Sequence, residues 1–131
     1  MTEHYKINLD YEKRLMQVRL FGFWNSDVIA DFIRDIEIEE KRLLVGQRPY
    51  FVLSDLREFP VQSRDIVDEM EKHLAAWSNT GSFSAIVTPS ALAQMQFKRI
   101  AEGGNRKFFT IIEDANAWLV TNGMSLDRLR Y

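Results

Sequence analysis

Hydroxyl, acid and base side chains stand together in two stretches of this chain, Ser54-Asp55-Leu56-Arg57 and Ser63-Arg64-Asp65, and a third, Thr88-Pro89-Ser90, carries hydroxyls alone. The first follows Tyr50-Phe51-Val52-Leu53, a continuous apolar run that reads as a strand covered on both faces. Ser54, Asp55 and Arg57 then fall at its carboxyl end, the edge where parallel sheets commonly bind ligands. Thr88 and Ser90 follow another apolar run, Phe83 to Val87, and belong to the same edge. Trp24 and Asn25, placed after an earlier strand, can join them. Trp24, Asn25, Ser54, Asp55, Arg57, Thr88 and Ser90 are therefore the candidate binding surface. Hydroxyls with one acid and one base do not specify a reaction.

The groups that would make the site catalytic are missing. A nucleophilic triad needs a base, and the histidines are His4, near the start of the chain, and His73, beside Glu69 and Lys72 on a polar helical face. Neither histidine has further ligands at zinc-binding spacing, and there is no cysteine to supply a thiolate. Glu102-Gly103-Gly104-Asn105 follows a helix instead of opening one, so it reads as a stop and not as a phosphate loop. Asp65, Asp68 and Glu69 lie on one polar helical face, where solvent keeps carboxylates ionised. The expectation is a non-enzymatic protein with no metal and no cofactor.

Composition narrows the class. The chain has 131 residues, 46% hydrophobic and 27% charged, which suits a single globular domain with its own core. Basic and acidic residues number 17 and 19 and are interspersed, so no basic field invites nucleic acid. No segment has the roughly 20 continuous apolar residues of a membrane span, and the first residues do not read as a leader. With no cysteine, a reducing compartment is the natural setting. A soluble cytoplasmic protein that binds neither nucleic acid nor membrane is expected.

The periodicity of apolar residues supplies the elements that position these groups. Tyr5–Leu9 and Leu15–Phe23 alternate about the polar stretch Asp10 to Arg14, which reads as a hairpin. Asn25-Ser26-Asp27 caps a first helix carrying Val28, Ile29, Phe32, Ile33 and Ile36 at helical spacing. After the central strand, Ser63 caps a second helix with Ile66, Val67, Met70, Leu74 and Trp77 on one stripe, stopped by Asn79-Thr80-Gly81. Thr88-Pro89 opens a third helix that Gly103-Gly104 ends. Lys107-Phe108-Phe109 is the last strand, and Thr110 with Glu113 has capping-box spacing for a fourth helix, which Asn122-Gly123 stops. Residues 124–131 read as a loosely held tail of the single domain 1–131. The order β-β-α-β-α-β-α-β-α predicts an α/β fold with a mostly parallel sheet and one antiparallel N-terminal strand.

This pattern resembles the STAS domain family, which includes the anti-sigma factor antagonists, and more closely a divergent bacterial antagonist-like branch. The resemblance covers nearly the whole chain. It rests on the element order, on Gly22-Phe23-Trp24-Asn25, on Val52-Leu53-Ser54-Asp55-Leu56-Arg57, and on Phe109-Thr110 followed by Ala115, Ala117, Trp118 and Leu119. It implies a STAS-like fold that works by protein contact. In antagonists of that family a serine at the start of the second helix is phosphorylated within an Asp-Ser-Ser-Gly-like motif. The matching residue here is Ser63, a candidate phospho-acceptor, but Val61-Gln62-Ser63-Arg64-Asp65 lacks the other three motif residues. Capping alone also accounts for a serine there.

Two functions follow as expectations. One is a regulatory or scaffold module that binds another protein through the loops around Asp55, Ser63 and Thr88. Leu92, Met95, Phe97 and Ile100 of the third helix point in more than one direction, which also allows a homodimer through that helix. The other is a carrier that holds a lipid or nucleotide-like molecule in an apolar cavity between helices and sheet.

Overall fold

The structure, a computed structural model, describes residues 4–44, 49–75, 82–101 and 105–126. Among the described residues nine elements follow in the expected order: β1 (Tyr5–Asp10), β2 (Leu15–Leu20), α1 (Ser26–Leu44), β3 (Phe51–Asp55), α2 (Arg64–Ala75), β4 (Phe83–Val87), α3 (Ala91–Ala101), β5 (Arg106–Phe109) and α4 (Ile112–Thr121). The strands form one sheet in the order β1-β2-β3-β4-β5, with β1 antiparallel to β2 and every other pair parallel.

That order explains the layering. Each crossover from β2 onward moves one strand further in the same direction, so crossovers of one hand put α1, α2 and α3 on one face. Met16, Val18, Leu20, Leu56 and Ile86 pack there against Phe32, Ile36, Val67, Met70 and Phe97 of the three helices. The other face of the sheet buries Leu15, Phe51, Leu53, Ala85 and Val87 under Ala115 and Leu119 of α4. Along β3 the two sets alternate, because successive side chains of a strand point to opposite faces.

The hairpin turn places Arg14 at φ +55, a strained value for a residue with a Cβ. Its guanidinium offsets the strain by donating to the backbone carbonyls of Pro49, at 2.9 Å, and Leu43. Asn25 caps α1 as expected, its Oδ1 accepting the Val28 N–H at 3.0 Å. Gly123, at φ +113, ends α4 in the left-handed region that glycine adopts without steric cost.

Four expectations are corrected. β2 stops at Leu20 instead of Phe23, because Gly22 turns the chain at φ +62 and leaves Phe23 exposed. α3 is capped by Ser90 and not by Thr88: Ser90 Oγ accepts the Ala93 N–H at 3.1 Å. Thr110 makes no capping box, since α4 begins after Ile111, which is extended and provides no side-chain cap. Met124 is not part of a loose tail: it is buried with Leu119, whose carbonyl accepts its N–H at 3.0 Å. Residues 127–131 and the stops proposed at Asn79-Thr80-Gly81 and Gly103-Gly104 lie outside the described residues.

Candidate functional site

At the carboxyl edge of the sheet, the residues expected to form a binding surface prove to be engaged within the fold. Trp24 is 5% exposed and sits among Tyr5, Phe32 and Phe59, with ring centroids 5.1 to 6.0 Å away. Its Nε1–H donates to the carbonyls of Phe21 at 3.0 Å and His4 at 3.2 Å, so it is a core residue and not a surface one. Thr88 is fully buried, its hydroxyl directed at the carbonyls of Ser90 and Phe109. Asn25 and Ser90 are exposed and serve as caps.

Asp55 and Arg57 form a closed ion pair. Arg57 Nε and an Nη donate to the two Asp55 carboxylate oxygens at 2.9 and 2.8 Å, and the Arg57 N–H adds a third bond at 3.1 Å. Arg19, in register with Asp55 on β2, approaches the same carboxylate to 3.7 Å and binds Glu58 at 2.7 Å. Arg57 thus lowers the Asp55 pKa, against the opposing effect of burial. A bidentate pair of this kind ties down the loop after β3. It offers no proton at neutral pH.

Ser54 points the other way, as strand alternation requires, into a cavity of about 120 Å³ between the sheet and α1–α3. Phe32 and Ile36 of α1, Met70 of α2 and Phe97 of α3 line one side. Met16, Val18, Val52, Ile86 and Phe108 line the other. The sheet register orders this wall into rows. Val18, Ser54, Ile86 and Phe108 are aligned across β2 to β5, and the row before them is Met16, Val52, Ser84 and Arg106.

Polarity is therefore concentrated at the amino ends of the parallel strands, opposite the edge expected from the sequence. Glu40, Tyr50, Ser82, Ser84 and Arg106 line that end of the cavity. Tyr50 donates its hydroxyl to Glu40. Burial lowers the Arg106 pKa, and neighbouring Tyr50 opposes the shift. Glu40, Ser82, Ser84 and Arg106 are only half-buried, so this end reaches solvent. Sequence reasoning passed over these residues. The available signal was alternation: Ser84 shares a strand face with Ile86, and Arg106 with Phe108, so a polar group occurs on a face that is otherwise core.

Ser63 is exposed at the N-terminus of α2, where Oγ accepts the Ile66 N–H at 3.4 Å and the carbonyl accepts the Val67 N–H at 3.0 Å. Its neighbour Gln62, which the sequence did not single out, is 4% exposed and ties three segments together. Gln62 Oε1 accepts the Trp24 N–H at 2.9 Å, and Nε2 donates to the carbonyls of Gly22 and Pro60 at 3.0 and 2.7 Å. On α3, Leu92 and Met95 stay 72% and 70% exposed while Phe97 turns into the core. His73 is exposed on α2, and no group of three or more metal-ligating side chains occurs among the described residues. No helix among them is long and apolar enough to cross a membrane.

No family model matches the chain, and no curated protein matches it. A solved structure does. It is the crystal structure of an uncharacterised protein of the DUF3478 family from Shewanella loihica PV-4, described as having a SpoIIAA-like fold, with a TM-score of 0.63. The two are 19% identical over 91% of this chain and 98% of that one. With its antiparallel β1, otherwise parallel sheet and four helices, the chain has a SpoIIAA-like, STAS-type fold.

Proposed function

We propose that this protein is a non-enzymatic binding module that holds a small molecule with an apolar body in the cavity between the sheet and α1–α3. The observation that carries the reading is the cavity itself, about 120 Å³ walled by apolar side chains with a polar end. Protein interiors leave few voids larger than a water molecule, so a concavity of this size between sheet and helices is a departure from ordinary core packing. Apolar walls with a few convergent polar groups are the usual make-up of a small-molecule site.

The test is a two-dimensional amide NMR titration of the purified chain with benzene and 1-hexanol. Shifts concentrated on Val52, Ser84, Ile86 and Phe108, and lost in Ser54→Leu, are expected. Their absence at millimolar probe would overturn the reading.

A second reading is favoured by Leu92 and Met95, two large apolar side chains three positions apart that α3 leaves in solvent. We infer from them a contact face for another protein or a second copy, in keeping with the regulatory role that the family resemblance implies. Ser63 lies at the start of neighbouring α2, and the loop before α2 is joined to α3 by hydrogen bonds between Gln62 and Gln96. A phosphate on Ser63, placed at a helix N-terminus, would add negative charge near that face. Intact mass of the protein recovered from its own cell reads this directly, and an unmodified mass argues against the phosphorylation.

A further inference from the structure

We propose that two copies of this chain associate through β1, antiparallel and edge to edge, to form one continuous sheet. The pairing involves neither the cavity nor the exposed face of α3. Its first support is the edge itself. β1 ends the sheet and, among the described residues, has a strand neighbour on one side only. Its register with β2, together with the Phe21 N–H that donates to the His4 carbonyl at 2.8 Å, sets the phase of the ladder. Lys6, Asn8 and Asp10 direct their backbone groups at β2, because hydrogen-bonded pairs alternate along an antiparallel ladder. The N–H and C=O groups of Tyr5, Ile7 and Leu9 therefore point outward, where another strand can bond them.

The choice of a second copy as partner follows from the side chains. Registers that set odd-numbered residues opposite odd-numbered ones join the outward backbone groups and keep the apolar side chains on one face. One such register puts Asn8 of both copies on the twofold axis. It sets Ile7 opposite the second copy's Leu9, both half-buried apolar side chains on the face that packs against α1. On the other face it sets exposed Lys6 opposite the second copy's Asp10, and the symmetry repeats the pair. These charges fall at non-hydrogen-bonded positions, where side chains on paired strands approach most closely. The Asp10 carboxylate is fixed at the end of the strand by accepting the Lys13 N–H at 3.1 Å. The register centred on Ile7 sets Lys6 opposite Asn8 instead and forfeits both charge pairs. Lys6-Ile7-Asn8-Leu9-Asp10 is thus complementary to itself. Beside it, Ile38 of α1 is 47% exposed and shares an open groove with Ile7, so a strand added at this edge covers apolar surface that the single chain leaves in water.

The deciding experiment is a charge swap read by analytical ultracentrifugation at low salt. The wild type should sediment as a concentration-dependent dimer. Lys6→Asp sets acid against acid at both pairs and Asp10→Lys sets base against base, so each variant alone should dimerise about tenfold or more weakly. An equimolar mixture of the two restores opposite charges at both pairs and should recover the dimer, as should the double variant Lys6→Asp/Asp10→Lys. In the wild type, hydrogen exchange at the Ile7 and Leu9 amides should slow as concentration rises. A wild type that stays monomeric to millimolar concentration overturns the proposal. So does a dimer that is indifferent to Lys6→Asp, or one in which the Ile7 and Leu9 amides exchange as they do in the monomer. Those readings use the wild type and a change at one exposed residue, so they decide the matter even if the Asp10 variants fail to fold.

Discussion

Gln96 of α3 grips both backbone polar groups of Gln62: its Oε1 accepts the Gln62 N–H at 3.2 Å and its Nε2 donates to the Gln62 carbonyl at 3.0 Å. The Gln62 side chain meanwhile reaches back to Trp24, Gly22 and Pro60. Buried Gln62 and half-buried Gln96 therefore join the β2–α1 loop, the loop before α2 and the α3 helix that walls the cavity.

Gln62→Ala should be among the most damaging polar substitutions in the protein. It leaves the Trp24 N–H and two carbonyls without their partner in a site that is 4% exposed. A loss of about 2–3 kcal/mol in urea unfolding is expected, with the m-value unchanged. A loss below about 0.5 kcal/mol would mean that water replaces the side chain without penalty.

Asp55 should contribute an acid-sensitive share of stability. Hydrogen bonds from Arg57 hold its carboxyl below the ordinary value of 3.8, so the unfolded chain takes up this proton first as pH falls. The contribution is complete above that ordinary value and is lost as pH falls through it toward the lower folded one. Asp55→Asn should cost about 1–2 kcal/mol at pH 7 and remove this part of the acid dependence, read as urea midpoints between pH 7 and pH 2.5.

Tyr5 should act at the opposite extreme. Burial first, and then the hydrogen bond it donates to Asp35 at 2.6 Å, raise its hydroxyl pKa above the ordinary 10.0. The unfolded state ionises first as pH rises, so the contribution is full below pH 10 and declines above it. Tyr5→Phe should cost about 1 kcal/mol at pH 8, and its gap to wild type should narrow by pH 11. A constant gap would show that the hydroxyl does not titrate differently in the folded state.

Leu92→Lys with Met95→Lys tests the exposed face of α3. Both side chains already lie in solvent, so monomer stability should change by less than about 0.5 kcal/mol. If this face pairs two copies, sedimentation of the wild type should depend on concentration, and the double variant should remain monomeric throughout. A wild type that sediments as a monomer up to millimolar concentration excludes the pairing.

The element order, the mostly parallel sheet and the stop of α4 could be read from the linear pattern, because they depend on local rules. Alternation marks β1 and β2, a 3.6-residue stripe marks α1 and α2, and Gly123 can take the positive φ that ends α4. Caps were less legible where several hydroxyls stood close together. Thr88 and Ser90 look equally able to cap α3, and only packing decided that Thr88 is buried beneath the carbonyls of Ser90 and Phe109.

The candidate site was least legible, and the carboxyl-edge groups are where sequence and structure part. Asp55 and Arg57 are close enough in the chain to satisfy each other, and Trp24 is large enough to be claimed by the core. Glu40, Tyr50, Ser84 and Arg106 are far apart in the sequence, so no local pattern announces them as a group. The chain by itself determined that a mostly parallel sheet with crossover helices would form, since each element follows from its own periodicity. Where a polar-ended cavity would open was decided only by tertiary structure, because strand register and helix packing alone bring Arg106, Ser84 and Glu40 to one wall.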